Sequence, residues 1–161
     1  SRSILDQVYF PPLYHGEDGD VAPQIIAKAT KIEVLEEAYY NYLNRPGSAS
    51  LSVSPNVYKG LLSAFDVMKD KLLTEFPHEI EFLGIKAVLY GATFNAFKAN
   101  IAKKEVRSFV KDFTLLFPDW SINNYLSTCD FKKKLYLRFI RRGVYWIPKM
   151  MAKMHIMLIK A

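Results

Sequence analysis

From Ser54 onward the apolar residues recur every three or four positions. Tyr58, Leu61, Leu62, Phe65, Met68 and Leu72 share one helical face, and Ser54-Pro55 ahead of them offers an N-cap and a first-turn proline. A second run, Pro77 to Ala99, carries Ile80, Leu83, Ala87, Tyr90, Phe94 and Phe97 as one continuous stripe. A third, Lys104 to Leu116, presents Val106, Phe109, Val110, Phe113 and Leu116. Three such helices with short connections predict a small antiparallel bundle whose aromatic stripes form the core. Two further helices are expected at Phe131 to Tyr145 and Lys149 to Lys160, separated at Pro148.

Upstream of Ser54 the pattern changes. Residues 1–20 read as irregular, broken by Pro11-Pro12, Gly16 and Gly19. A short helix fits Val21 to Ala29, with Asp20 as its N-cap and Pro23 in its first turn. Lys31 to Glu36 alternates Ile32 and Val34 with charged residues, the period of a half-buried strand, and Ala38 to Tyr42 reads as a second strand or an extended edge. Asn44 to Ser50 is a loop built on Pro46-Gly47. The fold class expected is therefore mainly α. A short α/β piece occupies residues 1–52, and a helical C-terminal region occupies 53–161.

Composition narrows the class. Half of the 161 residues are hydrophobic and 24% are charged, a globular balance with no repeat or low-complexity tract. A single cysteine, Cys129, excludes an intrachain disulfide, fits a reducing compartment and reads as a small buried apolar residue. The chain opens Ser1-Arg-Ser with neither Met nor a signal peptide's apolar stretch, so Ser1 is read as lying inside a domain.

The net charge of +6 is unevenly placed. From Phe131 onward there are nine basic residues and no acid follows Asp130, whereas the 130 residues before hold 13 basic and 16 acidic side chains. Only residues 131–161 need an anionic partner. Their Lys and Arg are interleaved with Met, Ile and Leu, which suits an interfacial helix on an anionic leaflet better than a nucleic-acid groove, and no nucleic acid is expected. The competing reading is a last bundle helix with solvated charges. Lys149, Lys153 and His155 interrupt the apolar run, so a spanning helix is not expected.

The residues with chemical potential cluster at Tyr14-His15-Gly16-Glu17-Asp18-Gly19-Asp20. Acids just before a helix commonly serve its free N–H groups and its dipole, and Asp20 suits that role. Glu17 and Asp18, further upstream, gain less from it. Downstream come Ala27-Lys-Ala29, Lys31-Ile32, Tyr39-Tyr40-Asn41-Tyr42 and Arg45-Pro-Gly-Ser48-Ala-Ser50. In this order and spacing, residues 1–52 resemble the end of the catalytic domain of bacterial family-2 glycosyltransferases of the GT-A type. These enzymes build capsule, exopolysaccharide and lipopolysaccharide. Phe117-Pro-Asp-Trp120 and Asn123-Asn-Tyr-Leu126 are similar to segments in the helical extensions of such enzymes.

The resemblance implies that Asp18 is the general base, taking the proton of an acceptor hydroxyl as it attacks the anomeric carbon, with inversion. Glu17 would support the acceptor site. Arg45 and Ser48 would lie near the donor diphosphate, and His15 beside it. Asn41 and Leu43 stand where relatives often carry arginine, so Tyr39, Tyr40 and Tyr42 are read as packing. The family's nucleotide-sugar half, with its Asp-x-Asp motif and a divalent metal such as Mg or Mn, has no counterpart in this sequence, so no cofactor and no metal site are expected here. This chain is expected to be inactive alone. Donor and a glycan or lipid-linked acceptor would be partners of the complete enzyme, which is expected in the cytoplasm and peripheral on the inner face of the membrane. A different class remains open: a helical interaction module that binds an anionic membrane surface through its basic tail.

Overall fold

The computed structural model describes residues 2–10, 17–41, 43 and 53–160; the side chains at 2, 17, 18, 159 and 160 fall outside that description. The described chain is mainly helical and contains no strand. In chain order the elements are α1 (Arg2–Leu5), α2 (Glu17–Lys28), α3 (Pro55–Leu72), α4 (Pro77–Gly84), a π-helical segment (Ile85–Ala92), α5 (Thr93–Lys98), α6 (Lys103–Leu116), two 3-10 turns (Trp120–Ile122 and Asn124–Thr128), α7 (Phe131–Arg141) and α8 (Trp146–Lys160).

The continuous helical rod from Pro77 to Lys98 is the centre of the bundle. Its π segment packs against α3, α6 and α7, while α5 packs against α8. Ala87 and Tyr90, expected in the core there, pack half-buried against it, while Ile85, Val88, Leu89 and Ala92 are its fully buried residues. The π turn explains the slip, because i→i+5 spacing moves the buried face off a stripe counted at 3.6 residues per turn. Gly84, just before it, permits the closest approach. A Cβ there would stand 2.5 Å from ring carbons of both Phe65 and Phe113. Those rings and Phe117 form an aromatic stack between α3 and α6, with centroids 5.1–6.4 Å apart. Phe117 also takes the place in the core expected of Leu116, which is exposed.

The helix ends follow local chemistry. The Ser54 hydroxyl accepts from the Asn56 N–H at 3.2 Å, with Pro55 at the first helical position, as the sequence predicts. Asp130 accepts from the Lys133 N–H at 2.8 Å and caps α7. Two helices stop in left-handed caps. Asn100 (φ 57°) lets the Ile101 N–H reach the Ala96 carbonyl, and Gly143 (φ 69°) lets the Val144 N–H reach the Phe139 carbonyl. The break in the basic tail is therefore at Gly143. Pro148, expected to separate the two helices, sits fully buried in the first turn of α8, where its missing N–H costs nothing.

Tyr136, Leu137 and Ile140 of α7 and Ala152 of α8 are buried in the main core. His155 of α8 meets the Phe94 ring edge-on, with centroids 5.3 Å apart. One face of each tail helix thus belongs to the bundle. No described helix is long and apolar enough to cross a membrane.

The strands expected at Lys31 to Glu36 and Ala38 to Tyr42 do not form among the described residues. Residues 30–41 have neither helix nor strand, and every one of them is exposed. Alternation alone does not make a strand; it needs a neighbouring strand to bond and a surface to cover one face. Cys129 is half-buried, not fully buried as its type suggests.

Candidate functional site

Helix α2 carries the acidic cluster and begins four residues earlier than expected, at Glu17. Carboxylates in a first turn face the positive end of the helix dipole, which favours starting the helix there. This shift changes the role of Asp20. It is no N-cap but a residue inside α2, fully buried, whose Oδ1 accepts from the Gln24 side-chain amide one turn on at 3.1 Å. Oδ2 is buried without a hydrogen-bond partner among the described residues. Burial pushes this carboxyl above the usual carboxylate range, opposed by the Gln24 hydrogen bond and by the Lys71 charge.

Gln24 acts as a clasp. Its carbonyl accepts from the Tyr9 N–H and its amide donates to the Tyr9 carbonyl, both at 3.1 Å, so a side chain takes the part of a pairing strand. Lys71 of α3 lies over the Tyr9 ring, 5.7 Å from its centroid. Together these contacts fix the N-terminal segment to α2, and α2 to α3. Nothing in the sequence pattern singled out Gln24 or Lys71, because neither belongs to a spaced motif.

Of the acids, Asp20 is held inside the fold. Asp18 lies two residues earlier, in the first turn of the same helix. Glu17 holds the first position of α2. His15, Arg45 and Ser48 lie outside the described residues. Tyr39 and Tyr40, read as packing, are 75% and 82% exposed.

Further along α2, Pro23, Ile26 and Ala27 line an open groove of about 460 Å³ shared with Phe76, Leu83 and Tyr125. Its walls are apolar except at Glu79, whose carboxylate accepts from the Tyr125 hydroxyl at 2.7 Å and is held below its ordinary range by that bond.

The second pair of motif segments has a packing role. Trp120 and Phe117 are buried in the core. Asn123 donates to the His78 carbonyl at 3.0 Å and to the Glu81 carboxylate, and accepts from the Tyr125 N–H at 3.0 Å, pinning the 3-10 turns to the start of α4. No three of His, Cys, Asp and Glu converge as metal ligands among the described residues. No family model, curated protein or solved structure matches the chain.

Proposed function

We propose that this chain supplies the acceptor-side edge of the active site of an inverting glycosyltransferase, with Asp18 as general base and Glu17 beside it. The observation that carries this reading is the division of the acidic cluster by α2. Asp20 is taken into the fold, whereas Asp18 lies in the first turn of a helix anchored along α3. A helix N-terminus favours the ionised carboxylate, the form a base needs. In the reaction the acceptor oxygen bonds to the anomeric carbon as its proton passes to Asp18, and the nucleoside diphosphate leaves from the opposite face with the electron pair of the broken bond. Arg45, Ser48 and His15 would face the diphosphate, and a divalent metal would belong to the nucleotide-binding half. Acceptor class, a growing glycan or a lipid-linked sugar, follows from the resemblance alone.

Residues 30–43 agree with this reading. Ile32, Val34 and Leu35 are 62%, 88% and 67% exposed, and Leu43 is 73% exposed. So many β-branched and aliphatic side chains on one short segment suit a surface that another part of an assembled enzyme covers.

The test is Asp18→Asn in an enzyme that joins this chain to a nucleotide-sugar-binding half. Release of nucleoside diphosphate should fall by on the order of 10²–10⁴-fold, while donor binding by calorimetry stays within twofold. Transfer at the unaltered rate would remove Asp18 from the chemistry. Loss of donor binding together with transfer would point to a folding or diphosphate role instead.

A further inference from the structure

Helix α8 has two unlike faces. Pro148 and Ala152 face the bundle, fully buried, with Met151 packed beside them. On the other side stand Trp146, Met150, Met154, Met157 and Leu158, all 48–77% exposed. At 3.6 residues per turn these five positions fall within an arc of about 120°. Lys149 and Lys153 run along one edge of that arc. The sequence alone left the tail as either a bundle helix or an interfacial one. It is both at once, since the bundle consumes one face and leaves the other bare.

We propose that this outer face of α8 seats the protein on an anionic lipid surface. Trp146, Met150, Met154 and Met157 would enter the boundary between headgroups and acyl chains, with Lys149 and Lys153 among the lipid phosphates. Charge selects the occupant. No acidic residue follows Asp130, while Arg138, Arg141 and Arg142 stand exposed on α7 and the turn into α8. A protein partner would need an apolar groove rimmed by acids, and a second copy packed through the same face would bring the same cations against themselves. An anionic bilayer offers both apolar depth and negative charge. Trp146 begins the stripe, and indole favours the headgroup boundary. The unbranched methionines adapt to a surface without fixed shape. On α7, Tyr136, Leu137 and Ile140 are consumed by the core.

The chain would be floated with vesicles of phosphatidylcholine and phosphatidylglycerol in equal parts, and with phosphatidylcholine alone. Binding is expected to the first, falling at least tenfold as salt rises from low to several hundred millimolar, and to be negligible on the second. Met150→Gln, Met154→Gln and Met157→Gln combined should abolish it without altering the helical circular dichroism, since all three side chains are exposed. Lipids brominated on their acyl chains should quench fluorescence in the unaltered chain, and the quenching should vanish in Trp146→Phe, leaving only buried Trp120. Absence of flotation on anionic vesicles overturns the proposal, as does equal flotation of the triple variant. Binding to duplex DNA without vesicle binding would assign the cations to nucleic acid. A dimer that dissociates in the triple variant while vesicles stay unbound would assign the face to self-association. None of these outcomes depends on Asp18.

Discussion

Anchoring of α7 to the bundle rests on one buried polar contact, and its two partners are not equivalent. The Thr93 hydroxyl donates to the Leu89 carbonyl at 2.7 Å, so the Tyr136 hydroxyl, 2.8 Å away, must donate to Thr93. Both residues are fully buried, and burial pushes the Tyr136 phenol above its ordinary range. Tyr136→Phe removes one hydrogen bond but leaves the Thr93 donor satisfied, and should cost about 1 kcal/mol. Thr93→Val keeps the volume yet strands the Tyr136 donor where water does not reach, which should cost up to ~3 kcal/mol. In the double variant no donor is stranded. Its cost should therefore fall below that of Thr93→Val alone, with a coupling of at least ~1 kcal/mol. Urea titration followed by circular dichroism would measure all four proteins. In thermal melts each kcal/mol corresponds to about 2–4 °C for a chain of this size. Equal costs for the single variants, adding in the double, would refute the donor assignment and with it the buried seat of α7.

Two further expectations follow from the same packing logic. Asp20→Asn should raise stability near neutral pH by roughly 1 kcal/mol, because it removes a buried charge with one oxygen unpartnered among the described residues. The raised pKa means the folded state holds this proton more tightly than the unfolded state. Stability of the unaltered protein therefore declines as pH rises from the ordinary carboxylate value through the higher folded value, and Asp20→Asn should flatten that slope in melts across pH; an unchanged slope would contradict the burial argument. Two helical glycines should respond with opposite signs. Gly84→Ala should destabilise by about 1–3 kcal/mol against the Phe65 and Phe113 rings. Gly19→Ala, with no described atom within 4 Å of the new Cβ, should gain up to ~1 kcal/mol of helix propensity; calorimetric melts of the two would show agreement or its lack.

What the sequence made legible was whatever local periodicity encodes. The helix starts at Ser54-Pro55, Pro77 and Phe131 and the aromatic stripes of α3 and α6 all follow from residue types at fixed spacing. The misses have physical causes of a different kind. A π turn shifts the buried face without leaving a mark in composition, so Ala87 and Tyr90 were chosen over Val88 and Leu89. Strand alternation at Ile32 and Val34 found no partner, and pairing is a tertiary property. Asp20 looked like a cap because it precedes an apolar run. Its true environment depends on Gln24, Tyr9 and Lys71, which lie up to 51 positions away along the chain. At the candidate site Glu17 and Asp18, expected upstream of the helix, instead form its first turn.

The α8 face and the segment around Ile32 are both apolar and exposed, and electrostatics separates what can cover them. The outer face of α8 carries Lys149 and Lys153 along one edge, and the helix contains no acid. The segment around Ile32, Val34 and Leu35 carries Glu33, Glu36 and Glu37 against Lys31, whose ammonium is already paired with Glu33. An anionic bilayer would attract the first and repel the second, so one lipid surface cannot serve both. On the proposed reading the exposed segment suits a protein surface and the α8 face a lipid one. If the acceptor of the proposed reaction is lipid-linked, this division has a mechanistic use. A foot on the bilayer holds the chain where the acceptor is, while the cover over residues 30–43 is free to come from the half of the enzyme that holds the donor. Raising the salt should then weaken vesicle attachment steeply and leave the apolar contact over 30–43 nearly untouched, since screening acts on the first and not the second.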